Sequence, residues 1–446
     1  MANTYLTRTP SSTGNATKWT LSMWVKRSKL GVQTPIISTV QSSPSNTYDE
    51  MYFNTSDKFQ FSTVYNNTQK AIRTTRVFRD VNAWYHIQFV YDTTNSTDTD
   101  HAILYINGVR ETSFEDTTLL ASGANDWESA WNKSGNPMRI GYQSTNTASY
   151  FDGSMSHIHF ANNQTYAATV FGETDATTGE WKIKTSPSFT PGTNGFTILK
   201  DGNTITDQST NSNNFSLGGG TLTKTEDNPS NNFATMNPLI AGTTNYTYSN
   251  GNNSVTQSGS SASWVKTVST LGANSGKYYW EIKANNASIP QGFYLTLGVA
   301  SDTNSVAPSG HPANGITYKN NGSVAINSNI VATISAYTNG DIISFYLDMD
   351  NGALYIAKNG VIQNSGVPTS GASKTGAFSL NVPNETHFAC TSPYGSTANK
   401  VDVNFGNGYF GSTQISSAGT NASGNGIFEY NVPAGFTALS TKGLNL

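Results

Sequence analysis

The apolar and polar positions of this chain alternate with the period of two that marks β-strands. Leu21, Met23 and Val25 share one face of the stretch 20–25. Over 83–92, Tyr85, Ile87, Phe89 and Tyr91 share one face, with His86, Gln88 and Val90 on the other. The stretch 102–106 runs into Asn107-Gly108, a dipeptide that tolerates the positive φ angles of a tight hairpin turn. Met138, Ile140 and Tyr142 alternate again, as do Ile158 and Phe160. Further on, Tyr278, Trp280 and Ile282 share a face, as do Phe293, Leu295, Leu297 and Val299. Ile343, Phe345, Leu347 and Met349 lead into Asn351-Gly352, and Leu354 and Ile356 lead into Asn359-Gly360. No amphipathic helix longer than two turns stands out. Short strands broken by Gly, Asn, Ser and Thr turns predict an all-β chain of two antiparallel β-sandwich (jelly-roll) domains.

The chain has 446 residues, enough for two or three domains that each bury a core. From 201 to about 250 it is mostly Asn, Thr, Ser and Gly, including Gly218-Gly219-Gly220. So little apolar area reads as a polar linker with a few short strands. The expected organisation is a first sandwich over 1–200, a linker over 201–250, a second sandwich over 251–411 and closing strands over 412–446. Phe428-Glu429-Tyr430 and the stretch 436–439 are the candidates for those strands.

Composition narrows the function. Charged residues are 12% of the chain and the formal net charge is -3, with no basic cluster longer than Lys26-Arg27, so nucleic acid is not an expected partner. No apolar run approaches a membrane span, and no membrane insertion is expected. The first residues lack the basic-then-apolar layout of a signal peptide. Cys390 is the single cysteine, so no intrachain disulfide supports the fold.

Several segments carry a resemblance. Trp19-Thr20-Leu21-Ser22-Met23-Trp24-Val25-Lys26, Trp84-Tyr85-His86-Ile87, Leu104-Tyr105-Ile106-Asn107-Gly108 and Phe151-Asp152-Gly153 resemble a laminin-G-type, concanavalin A-like jelly roll. Gly276-Lys277-Tyr278-Tyr279-Trp280-Glu281, Leu297-Gly298-Val299-Ala300, Gly340-Asp341-Ile342 and Asp350-Asn351-Gly352 are similar to a SPRY domain. Connecting phrases, among them Phe171-Gly172-Glu173-Thr174-Asp175, the stretch 231–239 and Phe428-Glu429-Tyr430-Asn431-Val432-Pro433, resemble structural proteins of marine tailed phages of the cyanophage type. The resemblance implies a multi-copy or homo-oligomeric protein on the outer surface of a virion, with other virion proteins as partners. It implies a non-enzymatic tail-fibre adhesin for host surface glycan or protein. Its rival is a capsid decoration or assembly protein whose loops contact neighbouring subunits.

Glycanases of this superfamily need two carboxylates flanking the scissile bond, yet Asp49 and Glu50 are adjacent and point to opposite faces of any strand. Glu281 stands alone beside Trp280. Asp348 and Asp350 share a face but read as solvated carboxylates at a hairpin, and no catalytic residue is assigned. His157 and His159 would share a strand face, close enough for a metal, but without a third ligand nearby they read as exposed structural histidines. Laminin-G-like domains often carry a rim calcium, for which Asp98, Asp100 and Asp152 are available, but the spacing requires none and no cofactor is expected. For recognition, Trp127, Glu128, Trp131 and Asn132 place two indoles among polar groups in one loop, the combination a sugar ring stacks on. Tyr150 with the loop 144–149, and His311 and Tyr318 in the second half, are further binding candidates. Trp19, Trp24, Trp264 and Trp280 are assigned to the cores.

Overall fold

A computed structural model describes residues 3–41, 46–145, 149–200, 202, 204–240, 246–257, 266–285, 294–301, 314–394 and 399–445. Strands take 46% of the chain and helices 5%, so the protein is all-β with several antiparallel sheets. It divides between Lys224 and Thr225 into two compact units.

In the first unit the strands are β1 (Tyr5–Arg8), β2 (Lys18–Arg27), β3 (Thr34–Gln41), β4 (Thr47–Phe53), β5 (Lys58–Tyr65), β6 (Thr68–Val77), β7 (Trp84–Asp92), β8 (Ala102–Ile106), β9 (Val109–Arg110), β10 (Phe114–Asp116), β11 (Met138–Ile140), β12 (Gly153–Asn162), β13 (Gly172–Thr174), β14 (Trp181–Ile183), β15 (Phe196–Ile198) and β16 (Ser216–Gly219). They form an eight-stranded sheet, in the order β10-β6-β5-β4-β3-β11-β1-β16, and a six-stranded sheet, β15-β12-β2-β7-β8-β9. The inner faces meet in one core. Leu21, Met23, Val25, Ile87, Phe89 and Tyr91 come from one sheet, and Met51, Phe53, Phe59, Phe61 and Ile72 from the other. Each large side chain so buried contributes about 1.5–3 kcal/mol relative to exposure.

The alternation read from the sequence fails at one strand end. Met138 and Ile140 face the core, but Gly141 takes φ +82 and turns the chain, so Tyr142 leaves the core and stacks on Tyr5 with ring centroids 4.8 Å apart.

The outer face of the six-stranded sheet is covered by the hairpin β13–β14 and its flanking chain. Trp181 and Ile183 pack there against Trp24 and Trp84. Gly108 does two jobs here. With Asn107 (φ 48) it makes the β8–β9 turn at φ +78, and a Cβ on it would stand 2.4 Å from the Trp181 ring.

In the second unit, a nine-stranded sheet centred on Lys277–Ala284 and Ile342–Asp348 packs on a six-stranded sheet containing Tyr294–Ala300 and His387–Tyr394. Trp280, Ile282, Phe345, Leu347, Leu297, Val299 and Val403 fill the space between them. The outer face of the nine-stranded sheet is covered too. Phe428, Val432 and Phe436 lie on Tyr279, Tyr346 and Tyr355. In the closing segment, Thr413–Gln414 pairs with Tyr409–Phe410, and Thr437–Ala438 pairs in parallel with Tyr278 and Tyr279. Phe428–Tyr430 forms no strand and is held differently: the backbone N–H groups of Glu429 and Tyr430 donate to the two carboxylate oxygens of Glu281, each at 2.9 Å.

The polar stretch 201–250 is not a free linker over its described residues. Ser216–Gly219 pairs with β1 at the sheet edge, and Phe215 is buried against Phe196. Past the division at 224, Phe233, Ala234 and Met236 are buried in the second unit. A few apolar anchors spaced through a polar segment are enough to attach it, because its own polar side chains satisfy backbone groups there. Asp207, for example, accepts from the backbone N–H groups of Thr197, Ser209 and Asn213.

Candidate binding face

Of the residues singled out above, several are structural. Trp131 is fully buried, between Trp19 (4.9 Å between ring centroids) and Phe61 (5.5 Å), and belongs to the core. Asn132 is buried as well; its side-chain amide donates to the Asn15 carbonyl at 2.8 Å and to Asn162. Tyr318, expected on a binding loop, is a core residue whose hydroxyl donates to the Ser335 carbonyl. His311 and Trp264 lie outside the described residues, as do Phe293 and residues 146–148. His157 and His159 are buried rather than exposed, because the strap over 164–190 covers that face; Phe171 and Phe189 pack on His159. Their strand bulges between Ser156 and His159, and the two rings stand 6.3 Å apart. Among the described residues no group of three potential ligands is close enough to hold a metal ion.

Trp127 and Glu128 remain at the surface. Asp49 fixes their loop from within: Ser129 Oγ and the Trp131 N–H donate to its carboxylate at 2.6 and 3.0 Å. Trp127 donates its indole N–H to Thr63 Oγ1 at 3.1 Å and lies edge-on to Tyr65, which is 48% exposed. The ammonium of Lys70 lies 5.7 Å from its ring centroid. Glu128 is exposed and pairs with Lys133 at 2.7 Å. Asp348 is another correction. It is fully buried at its hairpin, paired with Lys277 at 2.9 Å and accepting from the Asn351 N–H at 3.0 Å.

Asp49 and Glu50 do point to opposite faces. Glu50 lies on the outer face of the eight-stranded sheet, and that face differs from the other two outer faces described. No apolar segment among the described residues packs over its centre. Its side chains fall into rows across the strands. One row runs Thr7, Arg139, Ser38, Glu50 and Ser62 over β1, β11, β3, β4 and β5. A second contains Tyr52, Gln60 and Arg73 over β4, β5 and β6, and Tyr5 lies beyond it on β1.

The floor is polar and shaded, with Glu50 and Gln60 each 6% exposed and Ser62 4%. Gln143 donates to Glu50 at 3.0 Å, and Thr145 donates to its other oxygen. Burial still pushes the Glu50 carboxyl up from its ordinary range, and the neighbouring Tyr48 and Tyr52 phenols rise for the same reason. Tyr48, Tyr52, Tyr142 and Tyr150 flank the floor half-exposed. Tyr150 is thus near the site, packed 5.2 Å from Tyr142, and Arg139 sits 5.5 Å over the Tyr142 ring. Beside Thr7, an open depression of about 410 Å³ is lined by Arg8, Ser212, Asn213 and Ser216. Sequence reading reached Tyr150 but missed Tyr48 and Tyr52. The alternation Tyr48, Glu50, Tyr52 was the available signal.

One constellation has the look of catalysis. Ser22 Oγ lies 2.9 Å from Nε2 of His86. On the other side of the ring, the Trp181 indole N–H, which can only donate, points at Nδ1 at 3.1 Å. The neutral ring therefore carries its proton on Nε2 and gives it to Ser22, the reverse of what a general base must do. Burial depresses the His86 imidazole to about 3.

The sequence of residues 2–171 matches the family profile described as the concanavalin A-like lectin/glucanases superfamily, laminin-G type. The first unit therefore contains a concanavalin A-like domain. Solved structures similar to this chain include the SPRY domain of human HERC1, at 20% identity and a TM-score of 0.30, covering 38% of this chain and 96% of that one. Another is the native heptameric SAP-like pentraxin of Limulus polyphemus, at 13% identity and a TM-score of 0.28, covering 37% and 72%. Stonustoxin follows at 15% identity and a TM-score of 0.27, covering 38% and 27%. No curated protein matches the chain.

Proposed function

We propose that this chain is a non-enzymatic adhesin of a phage tail fibre, carried on the outside of the virion, whose first unit binds host surface glycan. The observation that carries this reading is the outer face of the eight-stranded sheet, a shaded polar floor flanked by half-exposed tyrosines. Aromatic rings stack on the apolar faces of sugars, while neutral amides and hydroxyls match sugar hydroxyls. The phage assignment is supported by the connecting phrases and by a surface rich in Ser, Thr and Asn. A binding rather than catalytic role is supported by Glu50, whose cross-strand neighbours are Ser38 and Ser62 rather than a second carboxylate, and by the proton placement at His86.

A second reading, capsid decoration, is favoured by a different observation. Ile330 and Val331 are 65% and 52% exposed on the edge strand Asn329–Thr333, and Val361 is 65% exposed on a strand at the rim of the other sheet. Exposed aliphatic edges are what subunit contacts cover. Imaging intact particles labelled on the carboxyl terminus separates the two. A few labels clustered at the tail, with the purified chain competing for adsorption, is the expected result. Labels spread over the head would transfer the assignment to decoration.

A further inference from the structure

We propose that the hairpin β13–β14 is an acid-released latch: a proton on Nδ1 of His86 sets two donors against each other where Trp181 is held, and the hairpin lifts off the first unit's six-stranded sheet. Among the described residues, the stretch 172–184 makes one hydrogen bond to the sheet beneath it, from the Trp181 indole N–H to Nδ1 of His86 at 3.1 Å. Its other hydrogen bonds stay within the strap. The Lys184 N–H donates to the Phe171 carbonyl, and Asp175 accepts from the Thr177 and Thr178 N–H groups. Apolar contact does the rest, with Trp181 and Ile183 on Trp24 and Trp84. The indole is wedged between Gly108 and Gly172, where a Cβ on either would stand 2.4 Å from its ring. An indole N–H cannot accept, so this hydrogen bond exists only while Nδ1 is bare. Ser22 presents no such conflict, because its hydroxyl can accept from Nε2 in either charge state.

Among the described residues no acidic side chain pairs with His86 to offset the added proton. β2 presents Ser22 and Trp24, with the buried Lys26 further along the same face. The β8–β9 turn presents Asn107, whose Oδ1 accepts the His86 backbone N–H at 2.8 Å, and β12 presents His159 beyond Ser22. These groups are neutral or basic. Arg110 on β9 is paired with Asp100 at 2.5 Å. On the hairpin itself, Glu173 and Asp175 pair with Lys182 at 3.5 and 3.2 Å, and Glu180 is exposed. Trp24, stacked 5.0 Å from the imidazole, suits a cation, but the Trp181 edge does not. Burial holds the closed ring down at about 3 against the ordinary 6.5. With the hairpin lifted the ring meets water and titrates ordinarily. The closed form is therefore complete above about pH 6.5, and opening gains about tenfold for each pH unit below that, down to about 3. A lone two-stranded hairpin is marginal in water, so once lifted it loses its own pairing too. What it uncovers is aromatic: Trp24 and Trp84, 4% and 8% exposed while it is closed.

The test is amide hydrogen exchange of the full-length chain from about pH 7 to about pH 4, read as protection relative to the free-chain rate at each pH. Protection over 172–184 should fall about tenfold per pH unit below about 6.5, while β2 and β7 keep theirs. In His86→Gln, whose neutral amide can still accept from Trp181, hairpin protection should stay constant across that range. His159→Gln should leave the fall as it is, which keeps the assignment testable if the first variant does not fold. Constant protection in the unsubstituted chain would overturn the inference, as would a fall that survives His86→Gln or vanishes in His159→Gln. Parallel loss in β2 and β7 would overturn it too, because the hairpin would then be opening with the sheet and not from it.

Discussion

At the scale of single residues, the same side-chain type takes opposite roles according to what covers it. Trp127 and Trp131 are four apart in one polar loop, yet one caps the surface and the other is enclosed by Trp19 and Phe61. Removing both would therefore test folding as much as binding. The histidines show the same dependence. His86 lies between the Trp24 and Trp181 rings, and burial holds both it and His159 down at about 3, well below the usual 6.5. A folded-state value below the unfolded one means that the unfolded chain takes up protons first. The stability contributed by each is complete above about pH 6.5 and is lost as the pH falls toward about 3. In a His86→Gln variant, the rise of unfolding free energy with pH between about 4 and 6.5 should be shallower by up to about 1.4 kcal/mol per pH unit. Denaturant midpoints measured across that range would check it, and an unchanged slope would show that His86 titrates normally in the fold.

At the scale of elements, straps rather than strands distinguish the sheet faces. The closing segment of the second unit is pinned through one carboxylate. Glu281 accepts from the Glu429 and Tyr430 amides, from the Tyr279 hydroxyl at 2.8 Å and from the Asn404 amide at 3.2 Å. Burial nevertheless pushes its carboxyl up to about 7. Glu281→Ala leaves four donors facing a void, and the expected cost is about 3–5 kcal/mol, the range for breaking a buried charge network. Hydrogen exchange at 428–432 should quicken before exchange elsewhere in the second unit. Uniform protection in the variant would mean that the apolar contacts of Phe428 and Phe436 suffice without the carboxylate. In the sequence Glu281 was visible only as an isolated acid beside Trp280. Apart from Tyr279, its partners lie about 120 to 150 positions away, and no local pattern connects them. The hairpins at Asn107-Gly108 and Asn359-Gly360, by contrast, were legible outright, since a two-residue turn with positive φ is settled by the residues in it.

At the scale of the molecule, the polar stretch in mid-chain was the misleading feature. Its composition suggested a linker over 201–250, whereas the division falls at Lys224 and Thr225, inside that stretch. Cutting there should yield two fragments that each unfold cooperatively. Ending the first fragment at 200 instead removes Phe215 and the edge strand Ser216–Gly219, and should lower its melting temperature by several degrees. Calorimetry of the two first-unit fragments measures this directly, and equal melting temperatures would restore the linker reading.

What the sequence determined by itself is part of the set of strands, among them Lys18–Arg27, Trp84–Asp92, Lys277–Ala284 and Ile342–Asp348, with their side-chain alternation and the tight turns, because each depends on residues within a few positions of one another. It also placed Asp49 and Glu50 on opposite faces, since adjacent residues of a strand cannot do otherwise. Only the tertiary structure decided which faces are covered. Trp181 closes one, Phe428 and Phe436 close another, and the tyrosine-flanked face around Glu50 has no apolar cover among the described residues. Period two states which residues lie together, but whether a distant segment returns to cover them depends on long-range packing that alternation does not encode.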